Sequence, residues 1–240
     1  KTLAKCIETA GIRREGEFIF SALAAADTVL TKKQKELGVV LVDVGGGTAD
    51  FVIFEEGRLI HAGSLPIGGG RITNDIAIGF QTMVDVAEHI KLEFGTALPE
   101  LISKKEVINV GDFLPGDQSF FPRRDLAEII EARLQDLFEL LHRELKRVNR
   151  SQLLPAGVVL IGGGARMSGI VEVAKRELRL PVAIGVPLGF VNVPFDEASS
   201  IQLAATLGLL RWGVGEERYG IRPPAPIFEK LKKALKLLIP

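Results

Sequence analysis

The 240-residue sequence holds one cysteine, Cys6, so no internal disulfide can form, and the composition fits a reducing compartment. Acidic and basic residues balance at 30 each, which removes any bulk charge that would draw the chain to nucleic acid. No apolar run is long enough to span a bilayer. The three histidines and the lone cysteine are not spaced for a metal site. No Lys-Ser or Lys-Thr follows the glycine-rich turns, which excludes a Walker A loop, and the G-x-G-x-x-G dinucleotide fingerprint is missing. Apolar side chains are in ordinary supply. At 47% hydrophobic and 25% charged, the chain can bury a sizeable core in one large domain or two small ones. It opens on Lys1, without Met and inside what reads as a helix, which predicts a piece of a longer protein whose first half lies elsewhere.

Residues 38–54 organise the rest. An apolar run ends at Asp43, then Gly45, Gly46, Gly47 and Thr48 follow, then a second apolar run from Phe51 to Phe54. This pattern predicts a buried strand, a tight turn with exposed backbone, and a returning strand. A hairpin turn needs only two residues of the Asn-Gly type, so three glycines exceed what turning requires. With no side chains in the way, an anion, phosphate first among them, can reach the backbone N–H groups. Thr48 adds a hydroxyl, and Asp43 at the strand end is placed to hold a metal ion through water.

Upstream, Leu3, Cys6, Ile7 and Ala10 share a helix face that Gly11 closes. Phe18, Ile19 and Phe20 predict a short strand, Ala22 to Leu30 a small-residue helix, and Lys32 to Glu36 a solvated linker. Strands follow at about 39–43, 50–54 and 58–64, then helices near 72–81 and 84–94, the second with Val84, Ala87, Ile90 and Phe94 inward. Residues 96–122 read as irregular, with one hairpin around 107–110. A long helix from near Arg124 keeps apolar spacing from Leu126 to Val148, with His142 beside the stripe. Residues 158–165 (Val-Val-Leu-Ile-Gly-Gly-Gly-Ala) then repeat the strand and triple-glycine pattern, followed by a helix at about 168–179, a strand at 181–184 and a small-residue helix from Ala198 to Trp212.

Two such turns in one chain are a sharper signal than either alone. The first suits phosphates. The second, Gly162, Gly163 and Gly164 with a helix opening near Met167, suits the adenosine or α-phosphate region of the same nucleotide. Glu88 and Lys91, one helical turn apart, are placed to hold ribose hydroxyls, although by itself the pair reads equally as a surface salt bridge.

The last residues, 227–240, form an amphipathic pattern on a Pro-rich tether at 216–226. On a helix, Ile227, Phe228, Leu231, Leu235, Leu238 and Ile239 share one face, and Lys232, Lys233 and Lys236 the other. That is the arrangement of an in-plane anchor on an anionic membrane surface; a terminal helix packed on its own domain is the competing reading.

Residues 43–50 (Asp-Val-Gly-Gly-Gly-Thr-Ala-Asp) resemble the second phosphate motif of the actin-like ATPase superfamily, and 159–165 its adenosine motif. Within that superfamily the chain most resembles the bacterial cell-division FtsA family, through residues 65–77, 87–91 and 126–131. The resemblance runs from about residue 3 to the end and corresponds to the family's second half. It implies an α/β, ribonuclease H-like second lobe with an inserted α+β subdomain and a C-terminal amphipathic helix. Residues 1–37 would end a first-lobe domain, 38–65 and 155–215 would form the actin-like subdomain, and 66–154 would cap the nucleotide. ATP with Mg2+ is the implied cofactor, with Gly68 and Gly69 closing over the phosphates. Implied partners are the FtsZ C-terminal tail, a membrane and further copies in filaments, at the cytoplasmic face of the cell membrane at the division site. Arg123 and Arg133 match basic positions where the tail docks, and read equally as a solvated helix edge. Hydrolytic relatives such as heat-shock chaperones and MreB-type filaments carry Glu-Pro before the small-residue helix; this chain has Ser21-Ala22, so a general base is missing there and hydrolysis is expected to be slow at best. A pilus-assembly adaptor of PilM type and an actin-fold ATPase or phosphotransferase are the alternatives.

The tail yields a direct test. In co-sedimentation with anionic vesicles, the chain is expected to bind about tenfold more than a version lacking residues 227–240, with the difference shrinking at high salt. Equal binding by both removes the anchor.

Overall fold

The computed structural model describes residues 2–11, 18–114, 116–189 and 196–213. The predicted anchor at 227–240 and its tether lie outside them. In chain order the elements are α1 (Thr2–Thr9), α2 (Ser21–Val29), α3 (Lys32–Leu37), β1 (Val39–Val44), β2 (Ala49–Glu55), β3 (Arg58–Leu65), α4 (Gly69–Gly79) and α5 (Val84–Phe94). There follow β4 (Val107–Asn109), β5 (Phe120–Pro122), α6 (Arg123–Arg147), β6 (Val158–Ile161), α7 (Ile170–Leu178), β7 (Val182–Ile184), α8 (Glu197–Gln202) and α9 (Ala204–Gly213).

The main sheet runs β3-β2-β1-β6-β7. β1 pairs antiparallel with β2 and parallel with β6, and β6 pairs parallel with β7. β1 is central and covered on both faces, which is why it reads as an unbroken apolar run. Its side chains alternate: Val40, Val42 and Val44 join Leu160 and the helices α4 to α7 on one face, while Val39 and Leu41 join Ile161 and α2 on the other. The register sets Asp43 beside Ile161, so the two glycine turns leave the sheet side by side, at the carboxyl ends of adjacent parallel strands. That edge is where ligands bind in open α/β sheets.

The small residues of α2 and α9 have a packing reason. The two helices cross so closely that a Cβ on Gly208 would stand 2.1 Å from the carbonyl oxygen of Ala24. Ala22, Ala24, Ala25 and Ala26 are fully buried. Larger side chains on either helix would hold the pair apart.

Several expectations change. Phe18, Ile19 and Phe20 form no strand: the extended backbone at Phe20 caps α2, its carbonyl accepting from Leu23 and Ala24 N–H at 3.0 Å each. The stretch expected as a solvated linker is the helix α3. Thr31 and Gln34 cap it reciprocally, and Lys35 turns inward to Asp27 at 3.2 Å with its ammonium 5.0 Å from the Phe54 ring centre. Val84 is 52% exposed, and Val86 takes the inward place beside Ala87 and Ile90. The helix expected from Ala198 to Trp212 breaks at Leu203 into α8 and α9. The hairpin near 107–110 is present as β4 paired with β5, and His142 is satisfied by Ser151 Oγ at 3.1 Å.

Gly208→Val is expected to force α2 and α9 apart and cost about 3 kcal/mol or more, lowering Tm by roughly 6–12 °C in a thermal melt followed by circular dichroism. A shift within 2 °C of the parent, on the order of the noise of surface substitutions, would mean the contact yields freely.

Candidate nucleotide cleft

Glycine appears in this cleft for two separate reasons. At Gly162, φ is +86°, and a Cβ would lie 2.3 Å from Asp43 Oδ1; at Gly68, a Cβ would lie 2.6 Å from the carbonyl oxygens of both Gly45 and Gly46. There the fold itself forbids a side chain. Gly46 and Gly47 differ: nothing stands within 4 Å of where a Cβ would be, and neither has a positive φ. No packing or backbone constraint calls for glycine at these two positions. They are exposed, and among the described residues their N–H groups have no hydrogen-bond partner.

The turn is held from behind. Gly45 N–H donates to Thr48 C=O at 2.9 Å and closes it. Gly69 and Gly70 N–H donate to the Gly45 and Gly46 carbonyls at 2.9 and 2.8 Å. The carbonyls are thereby satisfied within the protein, and the outward surface of the turn is left with donors. Gly69 and Gly70 brace the turn, since their own N–H groups point at it.

The cleft beneath has a volume of about 830 Å³. Of the residues singled out from sequence, Gly45, Gly46, Gly68, Gly69, Glu88, Lys91, Gly163, Gly164 and Met167 line it together. Gly162 and Asp43 stand just behind, and Gly47 and Thr48 sit at the exposed tip of the turn, outside the lining. The helix expected at about 168–179 is α7, Ile170–Leu178, and a 3-10 turn, Gly163–Arg166, with Met167 after it, stands between the second glycine turn and α7. The nine membrane positions lie outside the described residues. Arg123 is away from the cleft, bound to Glu106 Oε2 at 2.9 Å and to the Phe94 carbonyl at 3.2 Å. Arg133 reaches the cleft rim but is gripped by Asp75 in a two-pronged pair at 2.6 and 2.9 Å.

Glu88 and Lys91 are more than a surface pair. Lys91 is 8% exposed and donates to Glu88 Oε2 at 2.6 Å, to Thr73 Oγ1 at 2.8 Å and to the Gly69 carbonyl at 3.3 Å. Burial pushes the Glu88 carboxyl up, but bonds from Lys91 and Thr73 and the Lys91 charge outweigh it and hold the group below its usual range. Thr73, Arg166, Ser168 and Gln202 were not singled out from sequence. Arg166 directly follows the second glycine turn, which is a usable signal. Gln202 arrives from α8, far along the chain, and carries none.

Asp43 and Asp50 are directly opposed across β1 and β2. Asp50 accepts from Ser64 Oγ at 2.6 Å and from Ser21 Oγ at 3.1 Å. Asp43 has no hydrogen-bond partner among the described residues, and burial, reinforced by the Asp50 charge, pushes its carboxyl up to about 6. Among the described residues no three His, Cys, Asp or Glu cluster to hold a metal ion directly. An unpartnered carboxylate facing a second one fits a cation bound through water and phosphate oxygens.

A family profile described as Cell division protein FtsA matches residues 40–208. The chain is 38% identical to Cell division protein FtsA of Pseudomonas aeruginosa, over 97% of this chain and 58% of that protein. The chain belongs to the FtsA family. It is 34% identical to the FtsA of Escherichia coli K12, over 89% of this chain and 52% of that one, so it spans about half the length of the curated relatives it matches. Among solved structures, MreB5 of Spiroplasma citri bound to ADP superposes with a TM-score of 0.67 at 17% identity, over 88% of this chain and 63% of that one. A PilM-PilN type IV pilus biogenesis complex gives 0.65 at 18%, over 89% and 57%. At these identities the likeness concerns the fold, which is that of the actin-like ATPases. Among the described residues of this FtsA-family chain, no helix is long and apolar enough to cross a membrane.

The raised Asp43 carboxyl has a stability consequence. The folded chain keeps a proton that the unfolded chain releases between the ordinary value of 3.8 and about 6, so this group's contribution falls as pH rises through that window. Asp43→Asn is therefore expected to gain on the order of 1–2 kcal/mol relative to the parent between about pH 4 and pH 7, read as the difference in urea unfolding free energy. A difference that does not change with pH would place Asp43 in an ordinary solvated setting.

Proposed function

We propose that this chain is the second half of a nucleotide-regulated cell-division adaptor, which binds ATP with Mg2+ in the cleft and ties FtsZ polymers to the cytoplasmic face of the membrane. The observation that carries the nucleotide reading is the pair Gly46 and Gly47, bare where the fold leaves room for side chains, beside the second glycine turn. Free N–H groups of 46–48 and the Thr48 hydroxyl would hold phosphate oxygens. Glu88 and Lys91 would take the ribose, and Gly163, Gly164 and Met167 would flank the base. Mg2+ would come with the phosphates and meet Asp43 through water, its charge favouring the ionised carboxylate.

The chemistry at Ser21 supports slow turnover. Its hydroxyl lies beside the phosphate turn but donates to Asp50, and an alcohol there cannot take a proton from water as a carboxylate would. Nucleotide would then regulate assembly of filaments, with residues 66–154 as the cap and 227–240 as the reversible anchor that many copies make firm. Docking of an FtsZ tail at Arg123 and Arg133 would exchange the pairs with Glu106 and Asp75 for partner carboxylates.

The test uses the open space at the turn. In the double variant Gly46→Val, Gly47→Val, the fold is expected to hold, with Tm within about 2 °C, while affinity for an ATP analogue falls about tenfold or more in an NMR titration able to read weak binding. Unchanged affinity in the folded variant would remove the phosphate reading of the turn.

A further inference from the structure

Thr73 is 3% exposed and lies one helical turn beyond Gly69, behind the cleft wall. Its hydroxyl oxygen accepts from Lys91 Nζ at 2.8 Å. The same hydroxyl has two acceptors in reach, Glu88 Oε2 in a very short contact and the Gly69 carbonyl at 3.2 Å. A hydroxyl has one proton, and the charged carboxylate is the stronger acceptor. Glu88 Oε2 thus takes both Thr73 and Lys91, and Oε1 is left with no partner among the described residues.

The Gly69 peptide lies between this cluster and the phosphate turn. Its carbonyl faces Thr73 and Lys91, and its N–H donates to the Gly45 carbonyl at 2.9 Å. Hydrogen bonds therefore run without a gap from Glu88, through the buried hydroxyl and ammonium, through one peptide unit, to the turn that would hold phosphate.

We propose that Thr73 is the positioning residue that fixes the Glu88 carboxylate for recognition of a ribose hydroxyl, and that Lys91, which donates to Thr73 as well as to Glu88, ties that carboxylate to the phosphate turn through the Gly69 carbonyl. This rests on the nucleotide reading given above. Thr73 does not line the cleft and touches no ligand; it decides which carboxylate oxygen is presented and holds it still. A valine there has the same shape and leaves Oε2 with Lys91 alone, so the carboxylate can rotate. A serine keeps the hydroxyl.

The experiment compares the parent chain with Thr73→Val and Thr73→Ser by NMR. Without ligand, a carboxyl titration of Glu88 reads the positioning itself: in T73V the Glu88 value moves up towards the ordinary range, and in T73S it returns. With ligand, titrations of ATP, 2′-deoxy-ATP and 3′-deoxy-ATP read the recognition. In the parent one deoxy analogue binds about tenfold more weakly than ATP, in T73V the ratio falls to near one, and T73S restores it. A parent that binds no nucleotide overturns the cleft reading and this role with it. A parent that prefers ATP, together with a T73V that keeps both the preference and the Glu88 titration, overturns the role of Thr73 alone and leaves the cleft standing.

Discussion

The parallel pairing of β1 with β6 is the constraint on which the rest depends. Residues far apart along the chain meet there, and the register of Asp43 with Ile161 delivers two glycine turns to one edge. A slip by one residue would send every buried valine of β1 to the wrong face, so apolar packing on both sides enforces the alignment. The chemistry of the cleft is thus fixed by the burial of Val39, Val40, Leu41, Val42 and Val44, apolar side chains with no chemistry of their own. The α2 and α9 contact serves the same end, since it clamps the second face of the two strands through helices small enough to lie against each other.

Around the first glycine turn the backbone is arranged as a one-sided surface. A turn exposes carbonyls as well as N–H groups, and an anion is attracted to one and repelled by the other. Here the 68–70 segment covers the Gly45 and Gly46 carbonyls with its own N–H groups and leaves the donors outward. This explains why a third run of glycines is needed. A side chain at Gly68 would collide with both carbonyl oxygens, and the segment could not approach closely enough to bond them.

Much of this was legible in the sequence, because strands and glycine turns are local patterns. β1, β2, β3 and β6, the long α6 and the two glycine turns that meet at the cleft follow from apolar runs, period and glycine placement. The failures share a physical cause. Lys35 looks solvated because Lys usually is, yet a buried partner at Asp27 and an aromatic face at Phe54 make the interior acceptable, and neither is visible along the chain. Thr31 and Gln34 did carry a local signal for α3, a capping box, which the charged run obscured. Phe18, Ile19 and Phe20 have strand composition, but the segment runs directly into α2 and its extended end is used as the cap of that helix. Thr73 was silent because its meaning depends on Lys91 and Glu88 from the next helix, and a threonine in a helix is common. The bracing of the turn by Gly69 and Gly70 was equally out of reach, since it depends on how two loops meet.

The two aspartates beside the turn divide their roles by environment. Both face the same side of the β1 and β2 pair, so their charges oppose one another in a partly buried place. Ser21 and Ser64 donate to Asp50. Asp43 receives no such help, and burial together with the Asp50 charge raises its carboxyl. The cleft therefore carries an electrostatic cost located at one carboxylate. A cation arriving with phosphate oxygens would relieve that cost, and the relief would add to the affinity of whatever brings the cation. Ser21, which stands where a general base would be expected, commits its hydroxyl to Asp50, so of the two carboxylates Asp43 is the one left without a hydrogen-bond donor among the described residues.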